Sequence, residues 1–215
     1  MPKNERNNAV LIEAKRRRIA EAALRVFANK GYHPARISDI ANEAGVAYGL
    51  VYHYFKNKEE ILNSVFQEMW GHLSSAIEGI ASGTKTFYEK LYDIVSLMID
   101  GYKRMPELIE VLIIQFARSP KFTEQANLRI FEKTFKNLEG IIRFHQGKSD
   151  VRKDINSRLL SYMFFGAIET TLTGVVMGTL KKDNASLETL KRNIVDTFIN
   201  GILNQAVQPL QKRER

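Results

Sequence analysis

The sequence predicts an all-α protein, in which an N-terminal three-helix domain of the helix-turn-helix type precedes a larger helical domain. Apolar residues recur at the 3.6-residue spacing of helices over most of the chain, and strand-like alternation is absent. Glycine and proline fall between these long periodic segments. The 215 residues are enough for a substantial core, and an apolar content of 44% is that of an ordinary globular protein.

Three helices are predicted at the N-terminus, after a flexible basic extension over residues 1–14. The first helix begins near residue 15 and ends before Gly31, which stands where a C-terminal cap belongs. One apolar stripe marks it: Ile12, Ile19, Ala22, Ala23, Val26 and Phe27. The second helix is predicted over about 38–44 and the third over about 47–54, with Gly45 in the turn between them.

Six more helices are predicted after this region. Asn57 followed by Glu60 has the pattern of a capping box, so a long helix is expected to begin there and to end near Gly83. The others are expected over about 85–104, 107–117, 121–146, 156–180 and 186–206, with Ser186 as the N-cap of the last. Residues 208–215 are expected to form a disordered tail.

Several classes of function are disfavoured by composition. The chain has no cysteine, which excludes a disulfide framework, a zinc finger and a thiol nucleophile and fits a cytoplasmic protein. No signal peptide is recognisable, and no segment is expected to span a bilayer. The four histidines are scattered, without metal-ligand spacing, and there is no glycine-rich phosphate loop. We therefore expect no enzymatic activity, no metal, no cofactor and no membrane partner.

The net charge of +8 is concentrated in the N-terminal part of the chain. Residues 1–58 hold eleven Lys and Arg against five Asp and Glu, whereas residues 59–215 hold 21 against 19. A basic N-terminal domain is the expected footprint of a polyanionic partner such as DNA. A solvated basic face explains the charge equally well.

The segment from residue 37 to residue 62 has the pattern of a DNA-binding helix-turn-helix. Apolar residues are expected to fix the angle between its helices: Ile40, Ala41, Val46, Leu50 and Val51. Their spacing leaves an outward face on the second helix of the motif, formed by Ala47, Tyr48, Gly49, Tyr52 and His53. Small residues allow close approach to DNA, and tyrosine and histidine hydrogen-bond phosphates or bases. Lys58, at the start of the next helix, is expected to bind a phosphate.

These residues and the helix before them resemble the N-terminal domain of the TetR family of regulators. The resemblance is carried by Arg18-Ile-x-x-Ala22-Ala-Leu-x-Val-Phe27, Gly31-Tyr32, Ala44-Gly45-Val46, Gly49, Val51-Tyr-His-Tyr-Phe55 and Lys58-Glu-Glu-x-Leu62. It implies a DNA-binding domain over residues 15–62, with the helix-turn-helix at about 38–57. It also implies that Tyr54 lies beside DNA, although the family often carries Tyr and then His where this chain has His53 and Tyr54.

One position departs from the pattern of the family. Ala35-Arg36 stands where the family usually has Thr or Ser residues, which cap the second helix and touch phosphate. Ser38 is therefore expected to cap this helix, and Arg36 to contact phosphate as a cation. The basic run Lys15-Arg-Arg-Arg18 has two explanations, contact with DNA or solubilising charge at a helix start.

The resemblance implies that residues 63–207 form a ligand-binding and dimerisation domain. The helix predicted over 156–180 is apolar on nearly all sides, which a homodimer interface explains. The expected interface residues lie on this helix and on the last one: Leu159, Phe164, Ile168, Leu172, Val176, Ile194, Phe198 and Ile202. A second set predicts a ligand pocket: Trp70, Phe87, Met98, Tyr102, Phe116, Phe135, Phe165 and Glu169. Simple core is the alternative for the apolar members. For Glu169 the alternatives are a bond across the dimer interface and a partly solvated position at the edge of that interface.

A short stretch is also similar to TetR-type regulators of fatty-acid degradation, which respond to acyl-CoA. It consists of Gly147-x-x-x-Val-Arg152-x-Asp154-Ile-Asn-x-Arg158-Leu and Phe165-Gly-Ala-Ile-Glu169. The resemblance implies a ligand-released repressor that binds a pseudo-palindromic operator in double-stranded DNA as a homodimer, with a small apolar effector such as an acyl-CoA or a fatty acid. An unrelated hydrophobic or drug-like effector is the alternative. A helical lipid carrier is the alternative class, and it leaves the N-terminal motif unexplained.

Overall fold

The computed structural model describes residues 3–115, 125–148 and 150–203, which form nine helices. They are α1 (Lys3–Lys30), α2 (Ile37–Ala44), α3 (Tyr48–Tyr54), α4 (Lys58–Ser82), α5 (Phe87–Arg104), α6 (Pro106–Gln115), α7 (Gln125–Gly147), α8 (Ser157–Val176) and α9 (Asn184–Ile202). The all-α prediction is confirmed, because the β pairing in these ranges is a single bridge between Val151 and Leu203. The predictions for Phe116 and for the tail over 208–215 lie outside the described residues.

The first three helices enclose a small core of their own. Its buried residues include Ile19, Ala23 and Phe27 from α1, Ile40 and Ala41 from α2, and Val51 and Phe55 from α3 and its end. Gly45 ends α2 with a φ of 62°, and its N–H donates to the carbonyl of Asn42 at 3.1 Å. This is the left-handed turn that the sequence predicted, and a side chain there would be strained.

The N-terminal extension differs from the prediction. α1 begins at Lys3, so most of residues 1–14 continue the helix instead of forming a separate flexible segment. No glycine or proline interrupts the chain between Lys3 and Lys30, which explains why the helix continues. Residues 1–14 are also not basic, because two acidic residues balance two basic ones. Leu11 and Ile12 are exposed, so from residue 11 onwards the first buried apolar residue of α1 is Ile19.

Two predicted N-caps are wrong, and one is confirmed. α2 is capped at Arg36, where the Asp39 carboxylate accepts the Arg36 backbone N–H at 2.9 Å, so Ser38 lies inside the helix. Asp183 caps α9 by accepting the backbone N–H of Ser186 at 2.9 Å. A carboxylate accepts a backbone N–H at least as well as a hydroxyl does, and it also favours the helix dipole. Asn57 caps α4 by accepting the Glu60 N–H at 2.8 Å, as predicted.

α4 connects the two parts of the molecule and packs along α7 through a line of buried polar groups. The Asn127 side chain is fully buried and donates to the Asn63 amide oxygen at 2.7 Å. Gln67 donates to the Asn127 oxygen at 3.0 Å, and Asn137 donates to the Ser74 carbonyl at 3.2 Å. Buried amides that satisfy one another fix the position of one helix along the other.

α8 crosses the C-terminal part in contact with α5, α6, α7 and α9. Its length and mean hydropathy of 1.4 would by themselves allow it to cross a membrane, contrary to the sequence-based expectation, but the core helix of a globular domain has the same properties. The helix ends at Val176, four residues before the predicted end. Gly178 has a φ of 73°, and the N–H groups of Thr179 and Leu180 donate to the Gly174 carbonyl, which closes the helix early.

Candidate DNA-binding and effector-binding sites

The outward face of α3 carries two exposed tyrosines side by side. Tyr48 is 53% exposed and Tyr52 is 47% exposed, and their rings meet edge to face with centroids 5.2 Å apart. Their hydroxyls are hydrogen-bonded at 3.3 Å. The hydrogen bond with Tyr48 raises the pKa of Tyr52 above its ordinary value. The Tyr48 hydroxyl donates to Tyr52, so the Tyr52 hydroxyl is available to donate to a base or phosphate, and both rings offer apolar contacts for bases.

Small residues surround this pair. Ala47 and Gly49 are exposed at the start of α3, and a Cβ added to Gly49 would meet no atom within 4 Å. The glycine has no left-handed φ either. Neither packing nor backbone conformation within the described residues therefore requires a glycine at this position. The missing side chain is suited to the close approach of another molecule.

The remaining predicted DNA contacts occupy different environments. His53 is exposed at the end of α3, and its ring meets that of Tyr54 edge to face at 5.0 Å. Tyr54 is half-buried and packs against the core, so it is less available to DNA than its neighbours. Arg36 and Ser38 are exposed at the start of α2, where the positive end of the helix adds to the charge of Arg36.

Lys58 is engaged within the protein, which the sequence did not predict. Its Nζ donates to the backbone carbonyls of Tyr32, His33 and Ala35 at 2.8, 2.9 and 2.8 Å. The ammonium also lies 4.9 Å from the centroid of the Tyr32 ring. An ammonium has three N–H groups. All three are occupied, so in this structure Lys58 ties the start of α4 to the loop after α1 instead of offering a free cation to phosphate.

Two arginines of the basic run lie against the helix-turn-helix. The Arg16 guanidinium lies 4.9 Å from the centroid of the Phe55 ring, and an Arg18 nitrogen lies 3.1 Å from where a Cβ of Gly45 would be. The positions of Arg16 and Arg18 relative to the helix-turn-helix depend on how α1 packs against this motif. The sequence alone did not reveal that packing.

The C-terminal part contains an apolar cavity of about 340 Å³ between α4, α5, α6, α7 and α8. Its described walls are formed by Phe66, Met69, Trp70, His72, Leu73, Ala76, Leu97, Met98, Gly101, Arg104, Met105, Ile109, Leu112, Ile113, Phe131, Phe165, Glu169 and Leu172. The volume falls in the range of about 300–1,000 Å³ that is usual for small-molecule sites. Fifteen of these residues are not ionisable, so the cavity suits an apolar chain.

Four of the eight residues predicted for a ligand pocket line this cavity: Trp70, Met98, Phe165 and Glu169. Phe87 does not, because it is buried against the His145 ring at a centroid distance of 4.6 Å. Phe135 stacks on Tyr162 at 3.9 Å, and Tyr102 is buried in the core beside the cavity. Some of the aromatic residues predicted for the pocket therefore line the cavity, and others belong to the core. Their helical spacing alone did not distinguish the two groups.

α4 contributes a cavity wall that the sequence analysis did not assign to a ligand pocket. Phe66, Met69, Leu73 and Ala76 join Trp70 there, at spacings of three and four residues along one face of the helix. This regular stripe was visible in the sequence. What the sequence lacked was any sign that the stripe faces a void.

Glu169 brings a carboxylate into the cavity wall. The residue is accessible to solvent, and desolvation by the surrounding protein raises the pKa of its carboxyl group. In the described ranges no cluster of three His, Asp or Glu side chains has the arrangement of a metal site.

The residues predicted for a dimer interface divide into two groups. Phe164 and Ile168 are fully buried within the protomer, Ile202 is buried, and Leu172 is buried in the cavity wall, so these four residues do not form an exposed surface of the protomer. Val176, Ile194 and Phe198 are half-buried, and Leu159 is 54% exposed. Tyr162 and Met163, one turn after Leu159 on α8, are exposed as well. The helix is apolar all round, so its pattern did not show which face points inwards.

Comparison with known proteins assigns the chain to a family. The profile of the bacterial regulatory proteins of the tetR family matches residues 19–65, and the profile of the YsiA-like C-terminal region matches residues 66–201. The fatty acid metabolism regulator protein of Bacillus subtilis is 32% identical over 187 residues, which are 87% of this chain and 95% of the relative. The chain belongs to the TetR family.

Solved structures of TetR-family members have the same fold. The fatty acid degradation regulator FadR from Bacillus halodurans is 27% identical with a TM-score of 0.77, and the match covers 87% of this chain and 95% of that one. FadR from Bacillus subtilis in complex with stearoyl-CoA is 31% identical with a TM-score of 0.75, over 86% of this chain and 98% of that one.

Membership of the TetR family decides between the two classes that the sequence left open. The chain is a transcriptional regulator homologous to FadR-type regulators of fatty acid metabolism, and not a lipid carrier of another fold. The two profiles meet between residues 65 and 66, and the domain boundary at residue 62 stays a prediction.

Proposed function

We propose that this TetR-family regulator is a cytoplasmic, ligand-released repressor that binds a pseudo-palindromic operator as a homodimer. The proposal rests mainly on one observation, that α4 runs from the DNA-binding domain to the apolar cavity. The helix begins beside α3, which carries the exposed tyrosines, and further along it supplies Phe66, Met69, Trp70 and Leu73 to the apolar cavity. A ligand in the cavity therefore touches the same helix that positions the DNA-binding domain, and no enzymatic step is part of this function.

DNA recognition falls to the exposed face of α3. Ala47 and Gly49 let the helix approach the major groove, while Tyr48, Tyr52 and His53 supply the hydrogen bonds and apolar contacts. Arg36 and Ser38 lie at the edge of this surface and contact phosphate, and Tyr54 acts mainly by supporting His53. Lys58 acts indirectly, by holding the loop after α1.

The homodimer forms through the outward face of α8 and the neighbouring part of α9. Leu159, Tyr162 and Met163 together present an apolar surface on one helix, which is unusual for a face in contact with water. The half-buried Ile194 and Phe198 extend it on α9. A twofold axis here separates the two α3 helices by a fixed distance, as recognition of two half-sites requires.

The effector is an apolar chain, and a long-chain acyl-CoA fits best. The cavity is apolar, and the homologous FadR from Bacillus subtilis has been solved with stearoyl-CoA. Arg104 lies on the cavity wall at the end of α5, where it can meet an anionic head group. An unrelated hydrophobic or drug-like compound is the second candidate, because the apolar walls impose little chemistry of their own.

Operator binding and its release test this function. The purified protein should bind a fragment of its own promoter region with an affinity that falls about a thousandfold or more between roughly 50 and 200 mM salt. Stearoyl-CoA should lower that affinity, whereas coenzyme A without the acyl chain should not. Release by hydrophobic drug-like compounds but not by stearoyl-CoA would support the second effector class. Absence of salt-sensitive binding to any such fragment would contradict the regulator itself.

A further inference from the structure

Glu169 lies at the centre of the cavity-facing stripe of α8. Phe165, Glu169 and Leu172 follow one another at spacings of four and three residues and all line the cavity. Phe165 and Leu172 are buried, so the carboxylate stands between two apolar side chains. Folding of α8 does not require an acid here, because an apolar residue would continue the stripe without desolvating a charge.

The basic side chains of the cavity leave Glu169 without an ion pair in the described ranges. His72 lies 3.8 Å from Glu68 on the exposed side of α4. Arg104 is exposed at the end of α5 and also lines a second cleft beside α1. Burial raises the pKa of Glu169, and no cation among the described residues offsets this effect. A carboxylate that lines an apolar cavity and has no ion-pair partner among the described residues is suited to a partner on the ligand.

We propose that Glu169 determines specificity for the polar junction of the effector. Its carboxylate accepts a hydrogen bond from an N–H or O–H group next to the apolar chain, and it repels a second carboxylate at the same place. The effector class is then an apolar chain with a neutral, donor-bearing junction, and free fatty acids are rejected. An acyl-CoA fits, because an amide N–H follows a short way beyond its thioester. This inference rests on the cavity being the effector site of the proposed function.

Three probes with one chain length isolate the junction: dodecanamide, methyl dodecanoate and dodecanoate. Trp70 is the only tryptophan in the sequence and lines the cavity, so its fluorescence reports occupancy directly. At about pH 8 a free fatty acid is ionised, and the wild-type protein should bind dodecanamide about tenfold or more tighter than dodecanoate, with the ester in between. Equal affinity for amide and carboxylate would overturn the inference without any variant.

Glu169→Gln keeps the size of the side chain and removes its charge. We expect dodecanoate to bind about tenfold tighter to this variant than to the wild type, with dodecanamide within about threefold. Glu110→Gln is the matched control, because Glu110 is exposed on α6, carries the same charge and does not line the cavity. Circular dichroism establishes that both variants remain folded. Unchanged ranking of the three probes in Glu169→Gln would overturn the inference.

Failure of this inference and failure of the proposed function give different results. If stearoyl-CoA releases the operator while Glu169→Gln leaves the ranking unchanged, the function stands and the specificity role is wrong. If Trp70 responds to none of the three probes, the specificity role is wrong. If stearoyl-CoA also leaves the operator bound, the acyl-CoA effector is wrong as well.

Discussion

Replacing Lys58 separates a structural role from a DNA-contacting one. Lys58→Met removes three hydrogen bonds from one ammonium and leaves the carbonyls of Tyr32, His33 and Ala35 without it. Loss of a hydrogen bond to a charged group costs roughly 1.5–3 kcal/mol when the acceptor is left unpaired. The cost is smaller here, because Lys58 is half-buried and water can hydrogen-bond to some of the freed carbonyls. We therefore expect a loss of about 2–3 kcal/mol in the free energy of unfolding, and a Tm lower by about 5–10 °C.

Thermal unfolding followed by circular dichroism measures this loss, with Lys56→Met as the control. Lys56 is exposed two residues earlier, so its replacement removes the same charge without the carbonyl contacts. The control should keep the wild-type Tm within about 1–2 °C, since exposed substitutions change stability little. The reasoning is refuted if Lys58→Met also keeps the wild-type Tm and instead lowers the salt dependence of operator binding, by about one unit of the log–log slope per lost phosphate contact.

Three further predictions concern the DNA-binding face of α3 and the exposed face of α8. Tyr52→Ala should weaken operator binding about a hundredfold in a mobility shift while helicity and dimerisation stay intact; loss of helicity would mean that Tyr52 is structural. Gly49→Ala should keep or slightly raise the Tm, because a Cβ meets open space there, and should lower operator affinity at least about tenfold; wild-type affinity would contradict close approach of DNA. Met163→Glu, on a residue 55% exposed, should shift the protein towards the monomer in light scattering, whereas an unchanged dimer would move the interface elsewhere.

The N-terminal part was predictable because its signals are local. The turn at Gly45, the cap at Asn57 and the spacing of Ile40, Val51 and their neighbours each depend on residues a few positions apart. The capping of α2 was harder, since Arg36 gave no sign of being an N-cap and Asp39 supplies the bond. Lys58 shows the limit of local reasoning. Its position at the start of α4 predicted that it binds a phosphate, but its hydrogen-bond partners lie 23 to 26 residues earlier in the chain.

The C-terminal part was predictable as helices but not as surfaces. α8 is apolar on every side, so periodicity could not show which residues face the protomer, the cavity or solvent. Phe164 and Ile168 point into the core, Phe165 and Glu169 into the cavity, and Leu159 and Met163 outwards. These assignments depend on how α5, α6, α7 and α9 pack around α8, and no sequence pattern within α8 contains that information.

The proposed release of DNA needs only a small change in the packing of the cavity. A hundredfold loss of operator affinity corresponds to about 2.7 kcal/mol of coupling between the two sites. At about 25 cal/mol per Å², that is the burial of roughly 110 Å² of apolar surface, less than one aromatic side chain buries. A ligand that repacks Trp70 therefore supplies enough free energy for release, provided that it binds more tightly to the DNA-released position of α4 than to the DNA-bound position.

A second connection lies between α1 and the start of α6. Arg104 and Met105 line both the cavity and the cleft beside Glu21 and Arg25. Because α6 packs against α1, we expect a ligand that moves this junction to move α1 as well, as a second connection beside α4 to the DNA-binding domain.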